Sequence, residues 1–205
     1  MEMDRGEDAP AIPKIDSVEV RTLTRADLPE VTAVMNEGFG SKRCCGCIPA
    51  SETVAGFVAR YAAWPDEKLR LGAVAIIDNK IVGCVQMTKL GFPVYPAGLH
   101  TCESGEMYVE TVSVGAAARG KGVGSRLMQW CEATARADPT ITHLKLAVLY
   151  GNRAMGLYEK IGYKKIEEDA CDFCCGAFFV ALFIGRPYGC CNAEWGIVDM
   201  VKQLT

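Results

Sequence analysis

The sequence predicts a single α/β domain built on a mixed central β-sheet flanked by helices, and three observations carry that expectation. Residues 107–114 read as a strand, 120–137 as an amphipathic helix and 143–149 as an apolar strand. Elements in that order form a parallel strand pair joined by a right-handed crossover. Two β-rich runs, 70–77 and 80–88, meet at Asp78-Asn79, the signal of a hairpin. The length of 205 residues fits one domain, and with half of the residues hydrophobic and 23% charged there is ample material for a core.

The remaining elements follow in chain order. Residues 1–16 are acidic, carry Pro10 and Pro13 and lack the apolar centre of a signal peptide, so they read as a flexible tail. Val18, Val20 and Thr22 alternate with polar neighbours in a first strand over 17–23. Thr24 then stands as an N-cap with Asp27 at the capping-box position, opening a helix that carries Val31, Val34 and Met35 and stops at Gly38-Phe39-Gly40. Residues 42–49 form a Cys-rich loop, and a second helix from Ser51 turns Val54, Phe57, Val58 and Tyr61 toward the core. The stretch 90–105, with Pro93, Pro96 and three glycines, is a loop. A short helix over 152–161 and two strands, 164–168 and 178–184, complete the domain at 17–184. In the extension 185–205, Trp195, Val198 and Val201 recur at steps of three, the pattern of a helix that docks on the domain or on a subunit partner.

Composition narrows the function. A net charge of -3 with 22 basic residues, none of them in a run, argues against a nucleic-acid partner. No stretch approaches the roughly 18 apolar residues of a membrane helix, so a cytoplasmic protein is expected. The eleven cysteines are odd in number and bunched as doublets. A disulfide framework explains that poorly, and reduced thiols explain it better.

The most informative segment runs from Val112-Ser113-Val114 through Arg119-Gly120-Lys121-Gly122-Val123-Gly124-Ser125. It joins a strand directly to a helix whose apolar positions are Val123, Leu127, Trp130, Cys131 and Thr134. Glycines there let a ligand approach the backbone and leave the first helical N–H groups unblocked, which with the positive end of the helix dipole makes a diphosphate site. Arg119 and Lys121 reinforce it. A Walker loop is absent, and the dinucleotide fingerprint would place glycine at Ser125.

Arg119-x-x-Gly122-x-Gly124 resembles the pyrophosphate motif of the GNAT N-acetyltransferase superfamily, and Asn152-Arg-Ala-Met-Gly-Leu-Tyr-Glu-Lys-Ile-Gly-Tyr163 resembles that family's second signature. The likeness covers roughly residues 17–184. It implies the GNAT fold, in which two parallel strands splay to form a cleft for acetyl-CoA as co-substrate, with Val112, Ser113 and Val114 along the pantetheine arm, residues 119–125 at the diphosphate and Asn152 also in contact with the coenzyme. It further implies transfer of an acetyl group to an amine, on a small molecule or on a protein lysine or N-terminus.

An amine attacks a thioester only when neutral, a lysine-type amine has a pKa of about 10.4, and the departing thiolate takes up a proton, so a base and an acid are both useful. Strict alternation puts Tyr108, Glu110, Val112 and Val114 on one face of the strand. Glu110 is an acid in an apolar strand and stands where the family often has its base, so it is the candidate base, acting through water, with Tyr108 and Glu106 behind it. A paired or surface carboxylate is the plainer account of Glu110. Tyr158 is the candidate acid by resemblance and a core tyrosine by spacing. His100 and His143 have no supporting motif.

Two C-x-x-C spacings, Cys44–Cys47 and Cys171–Cys174, could hold zinc but lie too far apart for a compact ribbon, so no metal is expected. The alternatives to an enzyme are an acyl-CoA-binding regulator without turnover and a metal- or thiol-responsive module. The acidic run Glu167, Glu168, Asp169 and Asp172 is a solvated face or a rim that attracts a cationic acceptor. The chain is expected to act as a monomer or homodimer.

Overall fold

A computed structural model describes residues 18–39, 43–44, 48–49, 53–94, 100–149, 152–166 and 197–204. The chain opens with β1 (Glu19–Thr22), a 3-10 turn (Arg25–Asp27) and α1 (Leu28–Phe39). Then come β2 (Arg43–Cys44), β3 (Ile48–Pro49), α2 (Val54–Ala62), α3 (Asp66–Leu69), β4 (Gly72–Ile77) and β5 (Lys80–Lys89). The second half holds β6 (Glu106–Val114), a 3-10 turn (Ala116–Ala118), α4 (Val123–Arg136), β7 (His143–Leu149), α5 (Ala154–Lys160), β8 (Lys164–Lys165) and β9 (Ile197–Gln203).

Seven strands form one sheet in the order β1-β4-β5-β6-β7-β9-β8. β6 and β7 pair in parallel, and every other neighbouring pair in that sheet is antiparallel. The α/β class and the mixed sheet are as the sequence predicts. So is the β4–β5 hairpin: Asp78 and Asn79 have φ of 49° and 59°, the left-handed pair that a two-residue turn requires and that Asp and Asn tolerate best.

Helices cover both faces of the sheet. β4 shows how: Ala73 and Ala75 pack in one apolar cluster with Val123, Leu127, Met128 and Cys131 of α4, while Val74 between them packs in a second with Leu28, Val31 and Val34 of α1 and Phe57 and Tyr61 of α2. Burial of a single Leu or Val contributes about 1.5–3 kcal/mol, so each cluster holds its helices firmly. The start of α1 is fixed by Asp27, whose carboxylate accepts the Thr24 backbone N–H at 2.8 Å and hydroxyl at 2.7 Å. Arg21 clamps the same carboxylate with two bonds of 2.7 Å.

Three elements depart from the sequence reading. β2 and β3 pair as a short ribbon inside the Cys-rich segment read as loop. α3, a single turn, precedes β4. Residues 197–203 form a strand, not a helix, and β9 pairs with all of β7 from Leu149↔Ile197 to His143↔Gln203. Val198 and Val201 are three apart but belong to a run, Ile197-Val198-Asp199-Met200-Val201, that alternates equally well, and the free edge of β7 decides between the two periods. The expected strand at 178–184, the acidic run 167–172, Trp195 and most of the two cysteine clusters lie outside the described residues.

Candidate active site

The site is organised by one irregularity in β6. Thr111 pairs with Gln86 and Val109 with Met87, so Glu110 is an extra residue in the strand, a β-bulge. A bulge shifts the phase of the side chains beyond it. Met107 and Val109 pack in the α4 cluster, and so do Val112 and Val114. Ser113 points the other way, its hydroxyl donating to the Val34 carbonyl of α1 at 3.0 Å. The expectation that Tyr108, Glu110, Val112 and Val114 share one face is therefore corrected: the valines face α4, and Tyr108 and Glu110 face the α1 side.

The parallel ladder also ends at the bulge. β6 and β7 pair from Glu106↔His143 to Val109↔Leu146 and no further, although β6 runs on to Val114 and β7 to Leu149. Beyond Val109 the two strands part. The backbone of Val112, Ser113 and Val114 lies along that opening, with the Ser113 side chain committed to α1.

The glycine loop lies at the open end. Gly120 and Gly122 have φ of 74° and 83°, a conformation that costs other residues about 1–2 kcal/mol. A Cβ at either would meet no atom within 4 Å, so the space over both is open. Gly122 is the N-cap of α4 and the first turn holds no acid, which leaves the positive end of the helix uncompensated. Gly124 serves packing, since a Cβ there would stand 3.2 Å from Leu157 of α5. Val123 is buried in the core, and only its backbone can face a ligand. Lys121 is exposed, Ser125 half-buried, and Arg119 anchors the loop by donating from Nε to the Val114 carbonyl at 2.9 Å. Glu37 of α1 holds the near side, accepting the Ala116 N–H at 2.7 Å.

α5 brings the second motif to the same end. Asn152 accepts the Ala154 N–H on its side chain at 3.0 Å and the Met155 N–H on its carbonyl at 2.9 Å, fixing the first turn as a cap does. Tyr158 is buried beside Tyr163, with ring centroids 5.9 Å apart. Burial, with a smaller contribution from Cys131, pushes its phenol up to about 12. It is protonated throughout the neutral range.

Glu110 does not stand alone. Its carboxylate lies 2.6 Å from the Lys68 ammonium, and the two side chains are 1% and 0% exposed. Lys68 also donates to the Met87 carbonyl at 3.0 Å and sits 4.8 Å from the centroid of the Trp64 ring. Burial pulls the Lys68 pKa down, and the neighbouring carboxylate pulls it back up. Beside this pair is a small, partly open recess lined by Met35, Arg60, Tyr61, Trp64, Gln86, Glu110 and Thr111. Lys68 was not a sequence candidate, because in Asp-Glu-Lys-Leu it reads as a solvated surface residue. Of the two residues behind Glu110, Tyr108 stacks on His100 at 4.0 Å between centroids, and Glu106 is buried in contact with His100.

Residues 35–163 match the family model of the acetyltransferase (GNAT) family, and the chain belongs to that family. Among solved structures, GphF, a GNAT-like decarboxylase in complex with isobutyryl-CoA, is similar at 16% identity and a TM-score of 0.65, over 91% of this chain and 100% of that one. A GNAT-family acetyltransferase from Streptococcus pneumoniae is 17% identical, with a TM-score of 0.62 over 92% of this chain and all of that one. The PaiA N-acetyltransferase from Thermoplasma acidophilum, in complex with coenzyme A, is 16% identical with a TM-score of 0.55, over 91% and 99% of the chains. These identities speak for the fold. No curated protein matches the chain by sequence. No helix among the described residues is long and apolar enough to cross a membrane.

Proposed function

We propose that the chain transfers an acetyl group from acetyl-CoA to a primary amine. The observation that carries this is the bulge at Glu110, from which β6 and β7 part toward the bare N-terminus of α4 while an acid-walled recess lies on the other face. The backbone of Val112–Val114 then takes the pantetheine arm. The amides of residues 119–125 take the diphosphate, with Lys121 adding positive charge and Asn152 near the coenzyme. Glu110 receives the amine proton through water, and Lys68 fixes that carboxylate at the wall of the recess. Tyr158, protonated throughout the neutral range, returns a proton to the departing thiolate.

A second reading, a protein that binds acyl-CoA without turnover, draws support from the commitment of Glu110 to Lys68. One experiment separates the two. Release of CoA from acetyl-CoA is followed with a thiol reagent over a panel of amines and peptides, with the protein thiols blocked beforehand. Amine-dependent release is expected, and Tyr158→Phe should lower turnover by about 10²-fold or more with coenzyme affinity unchanged. Coenzyme binding without release for any amine selects the second reading, and wild-type turnover in Tyr158→Phe removes the acid role.

A further inference from the structure

Where β6 begins, on the face that carries Glu110, donor groups of three kinds converge. His100 and Cys102 come from the segment before β6 and Glu106 from its first residue. Their ligand atoms (an imidazole nitrogen, Sγ and a carboxylate oxygen) all lie within 4.8 Å of one another. Cys102 is 6% exposed and Glu106 2%. The His100 ring is held by stacking on Tyr108, at 17° between planes, and its Nε2 touches Glu106 Oε1.

A second imidazole closes the group. His143 Nε2 lies 3.9 Å from the other carboxylate oxygen of Glu106. Its Nδ1 is 3.0 Å from Thr142 Oγ1, and that hydroxyl also lies 3.2 Å from the Gly105 carbonyl, so the ring is held from behind with Nε2 toward Glu106. Outer hydrogen bonds of that kind fix the tautomer of metal-ligating histidines. Among the described residues both ion pairs of the buried Glu106 are to imidazoles, charged only when protonated, so the carboxylate has no permanent cation beside it.

We propose that His100, Cys102 and Glu106 bind a zinc ion, with His143 in the fourth position. Two nitrogens, a sulfur and an oxygen suit tetrahedral zinc, whose ligand atoms stand about 3.5 Å apart. Among His100, Cys102 and Glu106 the widest separation closes by about 1.3 Å and the His100–Glu106 contact opens to admit the ion. Binding breaks the Cys102 S–H bond, sends its proton to solvent and uses the freed sulfur electron pair for the S–Zn bond. The ion ties the segment before β6 to the first residues of β6 and β7. The inference is independent of the transfer chemistry.

Cobalt(II) replaces zinc as a visible probe. The full-length chain, stripped with chelator under reducing conditions and reloaded with cobalt, is compared with Cys102→Ser, His100→Gln, Glu106→Gln and the ligand swap His100→Cys, each checked for folding by circular dichroism. The folded Cys102→Ser, His100→Gln and Glu106→Gln variants should each hold one cobalt fewer than wild type, Cys102→Ser with weaker thiolate-to-cobalt absorption, and His100→Cys should keep it. Equal cobalt content in wild type and the folded variants overturns the proposal. Wild type alone gives a second readout. At a denaturant concentration where the metal-free chain alkylates Cys102, cobalt should slow that labelling by more than tenfold, read by peptide mass mapping, and equal rates overturn the site even if no variant folds.

Discussion

On the α4 side of the sheet the buried side chains are almost all apolar, from Ala73, Val85, Met87 and Met107 to Leu127, Met128, Leu144 and Met200. The opposite side buries Lys68, Gln86, Thr88, Glu106 and Ser113 among its apolar residues, with Glu110 against Lys68. The sheet is the same in both layers, so the contrast lies in what each must do. In the proposed reaction a diphosphate is held by backbone N–H groups, which only need α4 and its loop seated on a dry core. In the same reaction an acceptor amine has to be discriminated and deprotonated, and that takes side-chain charge fixed in place. Recognition by main chain leaves the packing conventional. Recognition by side chain does not.

The largest expected effect tests the charged layer. Lys68→Met takes the ammonium away from the buried Glu110 carboxylate, and should lower stability by about 3–5 kcal/mol in urea unfolding. Adding Glu110→Gln should restore most of that, since a neutral amide does not need the ammonium. A loss below about 1 kcal/mol would mean that water already screens the pair, and the two layers would differ less than described.

A second substitution tests the backbone side. Gly122→Ala meets only the strain of the left-handed conformation, whereas Gly122→Asp adds a negative charge over the open space at the start of α4. By calorimetry, Gly122→Asp should bind CoA more than about tenfold more weakly than Gly122→Ala, or about 1.4 kcal/mol. Similar affinities for the two variants would place the diphosphate elsewhere.

The smallest effect is a pH dependence at the start of α1, the helix that covers the charged layer. The bidentate hydrogen bonds from Arg21, and then those from Thr24, hold the Asp27 carboxyl at about 2, below its ordinary 3.8. A depressed carboxyl contributes its stability in full above the ordinary value and loses it as pH falls toward 2. Arg21→Gln should therefore lower the urea midpoint at pH 5 and above, by less than about 1 kcal/mol because Arg21 is partly exposed, and the gap should close between pH 4 and 2. A gap that persists at pH 2 would assign the effect to packing.

What could be read from the chain was local. The hairpin at Asp78-Asn79, the Thr24–Asp27 cap and the loop from Arg119 to Gly124 each rest on residues within a few positions of one another, and each is found. The face of β6 was misread because alternation cannot register an inserted residue, and the bulge at Glu110 is set by pairing with β5. The partner of Glu110 lies 42 positions away in the sequence, in a single helical turn whose charged residues look exposed. His100 and His143 belong to no motif: His100 reaches Glu106 from six positions upstream, and the pairing of β6 with β7 brings His143 there. β9 was read as a helix because nothing in residues 185–205 reveals that β7 has an edge to fill.

The bulge also constrains how this strand can vary. A strand that kept every residue from Met107 to Val114 but paired without the bulge would alternate plainly and turn Val112 and Val114 toward α1. Ser113 would turn toward α4, a hydroxyl moving into an apolar layer and the Val34 carbonyl losing its donor. Within β6, then, the irregular pairing opposite Gln86 and Met87 keeps the two valines on the α4 side.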